Sequence, residues 1–215
     1  NLIHIGDVNT ANNFRNQDRT FATEHIFALN ITDLKDCMDG YIQGGLEDFS
    51  TVDTRLGASS EDRSAVYEEN TADVRYQYWF EPYMNYFLIA KFSPNAIVAR
   101  YFQERLPLIR LTEMYYIAAE CAPSTSDGVD YLEEVRMNRG LVSFPLNRSI
   151  SREELLQEIR KEYWKEFWGE GQLWFYYKRN SITDFSEYMT NTDFFTFKIP
   201  DVEESTARAE RIMKK

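Results

Sequence analysis

Apolar positions in the second half of the chain recur at helical spacing; in the first half they do not. Leu108, Leu111, Tyr115 and Ala118 follow i, i+3, i+7, i+10, with Met114, Ile117 and Cys121 alongside. This spacing predicts a helix over 108–122, stopped by Pro123. A second helix is expected to start near Ser126 or Asp127, either of which can cap its free amides, and to bury Leu132 and Val135. Gly140 then falls where a left-handed residue closes a helix. The two make a helical hairpin of tetratricopeptide-like size. Ser151-Arg152-Glu153-Glu154 is a capping box, and Leu155, Ile159, Tyr163 and Phe167 recur every four residues behind it. Leu156, Trp164 and Trp168 widen this stripe. Gly169-Glu170-Gly171 breaks the helix, and a further turn or two from Gln172 to Arg179 carries Leu173, Trp174 and Tyr177.

The first half reads differently. Residues 1–20 are polar and rich in asparagine (Asn9, Asn12, Asn13, Asn16), which suits loop or extended chain. Glu24 to Leu29 is a short strand candidate. Residues 40–65 carry Gly40, Gly44, Gly45 and Gly57 among Ser and Asp, as surface loop around short helices would. Tyr76 to Phe92, with Pro82 inside it and Pro94 beyond, reads as one or two strands with a turn. Near the end, Phe194 to Ile199 is a short extended run before Pro200, and the last dozen residues are charged. The expected fold is mostly α, with helical hairpins, long loops and a few short strands. Its expected organisation is a loop-rich segment over 1–105 that faces the ligand and a helical region over 106–215.

Composition narrows the partners. The 215 residues hold 15 Phe, 14 Tyr and 4 Trp, side chains that serve equally as core and as flat contact surface for ligands. A net charge of −11 without a basic stripe argues against nucleic acid and leaves neutral or cationic ligands compatible. No run of 18 apolar residues exists to span a bilayer, and Asn1 to Thr10 lack the features of a secretory signal. The absence of an initiator Met suggests truncation or processing. Cys37 and Cys121 are read as two free, buried thiols, although a bridge between them stays open in an oxidising compartment.

Tests for chemistry point away from catalysis and cofactors. His4 and His25 have no Cys or carboxylate beside them at ligand spacing, so no metal site is expected. There is no G-x-S-x-G and no phosphate-cradling glycine loop. Glu162, Glu166 and Glu170 share one helical face, whereas a glycosidase needs its two carboxyls on opposite sides of a substrate. Pairing of these glutamates with Lys161 and Lys165, or capping of nearby amides, is the better reading. No catalytic residue is assigned.

Recognition by aromatic surfaces remains. Tyr76, Tyr78, Trp79, Phe80, Tyr83, Tyr86 and Phe87 fall within twelve residues, with Asp73, Arg75, Gln77, Glu81 and Asn85 among them. Sugar rings stack on aromatic faces while their hydroxyls seek such polar groups. Trp79, Tyr83, Tyr76, Asp73 and Arg75 are the expected ligand contacts. A packed strand would show the same alternation of aromatics.

Leu108-Ile109-Arg110-Leu111-Thr112-Glu113-Met114-Tyr115-Tyr116-Ile117-Ala118-Ala119-Glu120 resembles a helix of the SusD/RagB family's C-terminal region. Tyr131 to Arg136 with Asn138-Arg139-Gly140-Leu141 is similar to its partner helix. Glu162, Glu166-Phe167, Glu170-Gly171-Gln172, Trp174 and Lys178-Arg179 follow the next family stretch in order. Phe197-Lys198-Ile199-Pro200 resembles the closing segment, and Glu24 to Leu29 and Asp73-Val74-Arg75-Tyr76 resemble weaker landmarks upstream. Tyr163, Leu173 and Tyr176 stand where the family usually has Arg, Arg and Asp, which implies a more apolar packing of that element. The resemblance covers residues 70–205 best.

The resemblance implies a lipoprotein on the outer membrane of a Bacteroidetes-type bacterium that is a binder and not an enzyme. It would present a glycan or peptide, most simply an oligosaccharide, to a SusC-like TonB-dependent porin. Tetratricopeptide-like helices would face the porin and loop-rich parts the ligand. It also implies that an N-terminal half and a lipidated cysteine belong to the whole protein but not to this chain. Two other readings compete: a tetratricopeptide-like scaffold for a protein partner without a small ligand, and, less well supported, a glycan-processing enzyme.

Overall fold

The computed structural model of the chain describes residues 2, 19–32, 34, 57–83, 85–92, 104–184 and 192–196. Two compact units divide the chain between residues 169 and 170. The first holds the strands β1 (His25–Asn30), β2 (Gly57–Ala58), β3 (Phe80–Tyr83), β4 (Tyr86–Ile89) and β5 (Arg105–Arg110). It also holds the helices α1 (Ser60–Val66), α2 (Val74–Tyr78), α3 (Leu111–Cys121), α4 (Thr125–Asn138) and α5 (Arg152–Glu166). The second contains α6 (Gln172–Asn180) and a 3-10 turn at Thr192–Phe195. The mostly helical class with a few short strands is what the described residues form.

Serines start three of the helices in the same way. Ser59, Ser124 and Ser151 accept a hydrogen bond on Oγ from the amide three residues on, at Asp62, Asp127 and Glu154. Only Ser151 completes the capping box, because the Glu154 carboxylate also accepts from the Ser151 amide at 2.7 Å. Ser124, rather than the expected Ser126 or Asp127, caps α4. At the other end of α4, Gly140 takes φ 96°, and the Leu141 and Gly140 amides donate to the carbonyls of Arg136 and Met137. This is a Schellman closure that only glycine adopts without steric cost.

Helix α3 starts three residues later than its apolar spacing predicts. Leu108, Ile109 and Arg110 belong to β5, where pairing with β1 overrides their helical pattern. The buried face of α3 is also one residue out of step with expectation: Thr112, Tyr116 and Ala119 face inward, not Leu111, Tyr115 and Ala118. α4 and α5 bury Leu132 and Val135, and Leu155, Ile159 and Tyr163, as expected. Leu156 and Trp164, expected to widen the α5 stripe, are instead exposed, Trp164 to 38%.

A second apolar cluster forms under the hairpin β3–β4, which carries β2 on its outer edge. Phe21, Ala58, Tyr67, Val74, Trp79, Phe80 and Ile89 fill it. Tyr76 and Tyr78, expected in a strand, lie on α2, because Asp73 accepts from the Arg75 amide and starts a helical turn there. Glu24, likewise, precedes β1 in a 3-10 turn.

In the second unit, the chain resumes as α6 after Gly169 and Gly171, both at positive φ. Tyr176, Tyr177 and Phe195 are buried, and Trp174 packs edge-on to Phe195 at 5.9 Å. Phe194 and Phe195, expected in an extended run, belong to the 3-10 turn. The residues 197–200, Cys37, His4 and the glycines at 40, 44 and 45 lie outside the described residues. Cys121 ends α3 as an exposed free thiol, not a buried one.

Candidate functional site

A buried array of ion pairs holds the first unit together and sets the position of its aromatic surface. Glu166, at the end of α5, is 0% exposed and accepts from three arginines. Arg75 donates to it at 2.9 Å, Arg110 at 2.6 Å and Arg139 at 3.0 and 3.1 Å. One turn earlier, Glu162 accepts from Arg75 at 2.9 Å, and from Arg136 and Lys165 at 3.0 Å each. Arg75 also forks onto Asp73, at 2.6 Å through Nη2 and 2.9 Å through Nε. Arg139 reaches Glu24, whose second oxygen also accepts from the Thr112 hydroxyl at 2.5 Å.

The electrostatics are those of fixed charges. Burial alone would raise the Glu162 carboxyl, but Lys165, Arg75 and Arg136 outweigh it and hold the group well below the usual carboxylate range. Glu166 is held down in the same way, by Arg139, Arg110 and Arg75 against its own desolvation. Both carboxylates stay charged at neutral pH and are already saturated with donors. They are framework. The expected pairing of these glutamates with lysines holds for Glu162 with Lys165, while Lys161 bonds Glu158 and Glu68. The dominant partners are arginines from other elements, which helical spacing on α5 does not reveal.

Of the expected ligand contacts, Asp73 and Arg75 are in this array, buried and mutually paired. Trp79 is 1% exposed, with Phe21 at 5.4 Å and the Lys91 ammonium 3.7 Å from its ring centre. These three side chains present no face to solvent in this conformation. Tyr76 is half-buried and lies at the surface, and the Tyr83 side chain falls outside the described residues.

Around Tyr76 the structure builds a stack that the sequence does not announce. The Arg63 guanidinium of α1 sits 3.9 Å from the Tyr76 ring centre and 3.7 Å from that of Phe87 on β4. Desolvation works against it, but hydrogen bonds with Arg63 and Ser64 pull the Tyr76 phenol below its ordinary value. Tyr86, opposite Tyr83 at the tip of the hairpin, is 58% exposed. Tyr86 on the hairpin and Tyr76 on α2 are therefore aromatic rings left partly exposed at the surface.

The arginines and glutamates of this array are largely the residues that carried the resemblance: Asp73, Arg75, Arg110, Arg136, Arg139, Glu162 and Glu166. Their signal in the sequence was charge placed inside apolar stripes. Glu162 and Glu166 sit between Ile159, Tyr163 and Phe167, where a solvated charge does not belong. Tyr163, in place of the usual Arg, packs against Tyr116 at 5.1 Å and Phe167 at 5.3 Å, as the apolar substitution implied.

The described residues thus form a largely helical frame with short strands, an interior cross-braced by arginine and glutamate, and aromatic rings left at the surface. The chain belongs to the SusD family, which it matches over residues 43–215. The match reaches further upstream than the stretch of strongest resemblance. No curated protein and no solved structure matches the chain. SusD-family proteins are binding proteins associated with nutrient capture at the cell surface. Among the described residues, no helix is long and apolar enough to cross a membrane.

Proposed function

We propose that this protein binds an oligosaccharide or related glycan at the bacterial cell surface and passes it to a SusC-like TonB-dependent porin in the outer membrane. The observation that carries this reading is the family match across 173 of its 215 residues, from 43 to 215. The exposed Tyr86 and half-buried Tyr76 support it as rings on which sugar faces stack. A lipid anchor holds the protein to the membrane, and the segment up to residue 105 meets the ligand. The tetratricopeptide-type face of α3, α4 and α5 meets the porin. The protein carries out no chemistry on what it binds.

Titration calorimetry against a panel of soluble oligosaccharides tests the reading, with Tyr76→Ala and Tyr86→Ala as variants. Binding of at least one glycan, weakened about tenfold or more by one of these truncations, is expected from the loss of a stacked aromatic. Binding to none of the panel, together with capture of a folded protein partner by α3–α5, would favour the scaffold reading instead. Appearance of shortened sugars on incubation would overturn the assignment as a binder.

A further inference from the structure

Three aromatic rings from three elements close around one guanidinium. The central carbon of the Arg63 guanidinium lies 3.9 Å from the Tyr76 ring centre and 3.7 Å from that of Phe87, with Phe80 beyond at 5.7 Å. A guanidinium is flat, and two rings this close to its centre each cover one face. Tyr76 and Phe87 are therefore the walls of a slot and Phe80, 3% exposed, is its floor. The walls are fixed from behind. Tyr76 takes the edge of Tyr67 at 5.8 Å and follows Arg75, which Asp73, Glu162 and Glu166 hold in place. Phe87 lies on β4, the central strand of its sheet, opposite Ala58 and Pro82. Arg63, Tyr76 and Phe87 are all half-buried, so the slot opens at the surface.

We propose that this slot is a sugar subsite which Arg63 keeps closed: a pyranose ring takes the place of the guanidinium between Tyr76 and Phe87, and Arg63 turns out into solvent to admit it. The inference rests on the glycan-binding reading and adds a gate to the surface that reading uses.

Three observations converge on it. First, the spacing suits the exchange. A pyranose presents C–H groups on both faces, and carbon packs on carbon at roughly 3.5–4.0 Å, close to the distance at which each wall meets the guanidinium. Second, Arg63 is loosely held for a charged residue. Nearby acids are committed elsewhere: Asp62 accepts from Ser59, Glu68 pairs with Lys161 and Lys165, and Glu81 pairs with Arg19. Among the described residues no ion pair reaches Arg63, and its buried Nε finds no acceptor. Ring faces and the Tyr76 phenol are what keep it in place, and a cation over a ring near the surface is only weakly bound. Rotation into water would satisfy the Nε donor that the slot leaves without an acceptor. Third, plug and walls belong to different parts. Arg63 lies on α1, a helix of seven residues none of which is buried, whereas the walls stand on α2 and β4. Arg63 can leave while the slot keeps its shape.

The test is a gain of affinity. Arg63→Ala empties the slot, so the oligosaccharide that the wild-type protein binds best should bind this variant about threefold or more tightly in titration calorimetry, because the cost of expelling the plug is gone. Were Arg63 a ligand contact or a mere support for Tyr76, the same change would weaken binding. Nuclear magnetic resonance supplies a second measurement on the wild-type protein, should Arg63→Ala fail to fold. The Arg63 side-chain signal, shifted by the two rings, should move to the position of a solvated arginine as the sugar saturates its site. Equal or weaker binding by Arg63→Ala, or an Arg63 signal that stays in place at saturation, overturns the proposal and leaves the glycan-binding reading standing. No glycan binding by either form removes both.

Discussion

Arg139 grips Glu24 with both terminal nitrogens, at 2.9 and 2.7 Å, across 115 residues of sequence. The contact ties the end of α4 to the turn that precedes β1. Its Nε and Nη2 turn to Glu166 as well, so a single guanidinium braces three segments. Burial of this many charges is tolerated because nearly every donor meets a carboxylate. The same completeness makes each member hard to remove.

Glu166→Gln is the sharpest probe of that dependence. The substitution keeps the shape but leaves Arg75, Arg110 and Arg139 facing a neutral amide that would direct donors at them. Loss of about 3–5 kcal/mol of stability is expected, as for one partner removed from a buried ionic group. Urea unfolding followed by tryptophan fluorescence measures it. A change under about 1 kcal/mol would mean that the array is not what holds the elements together.

Acid should dismantle the frame in a defined window. Glu162 and Glu166 have folded-state pKa values held below the unfolded-state value of about 4.3. A depressed carboxyl contributes stability that is present above the unfolded value and is lost as pH falls through the folded one. Stability should therefore be little changed by these groups from pH 7 to 5, then drop steeply below about pH 4. Denaturation midpoints at pH 7, 5, 4 and 3 check this, and a curve flat down to pH 3 would refute it.

Gly128→Ala sets propensity against packing on α4. Alanine in a helix is favoured over glycine by about 1 kcal/mol. The added methyl, however, would lie 2.5 Å from Leu155 Cδ2 and 2.8 Å from the Ala119 carbonyl oxygen. Leu155 can shift, but the backbone of α3 cannot without moving the helix. A net loss of about 1–3 kcal/mol is expected from the overpacking. A thermal melt that rises would show that α3 and α4 are not this closely apposed.

The helices were legible in the sequence because their signals are local. The Ser151 capping box, the 155–159–163–167 stripe and Gly140 each depend on neighbours within a turn or two. The start of α3 was not legible, since Leu108 to Arg110 leave the helical pattern only when β1 lies beside them. The buried array was hidden for the same reason in a stronger form. Arg75 meets Glu162 and Glu166 from 87 and 91 residues away, and no spacing rule connects them. Asp73, Arg75 and Trp79 looked like ligand contacts because polar and aromatic residues side by side suit a sugar site. The same composition also suits an aromatic core laid over a buried ion pair. The two register shifts between β1 and β5 could not be read at all, because neither strand alone signals them.

Ser151→Ala should cost about 1 kcal/mol through loss of the cap on α5. Because Glu154 is the reciprocal partner, Ser151→Ala and Glu154→Ala should be non-additive in a double-mutant cycle, with coupling of about 0.5 kcal/mol or more. Simple additivity in unfolding free energies would argue against the reciprocal box.

One junction gives the frame its mechanical character. β5 ends at Arg110 and α3 starts at Leu111, so strand becomes helix with no connecting residue. A flexible connector would let the ribbon shift while the helices stayed still. Here there is no slack, and Arg110 at the joint is itself clamped to Glu166. Any displacement of the ribbon must appear at once as a rotation of α3 or as strain on that clamp. The ribbon and the helical bundle work as the two arms of one lever.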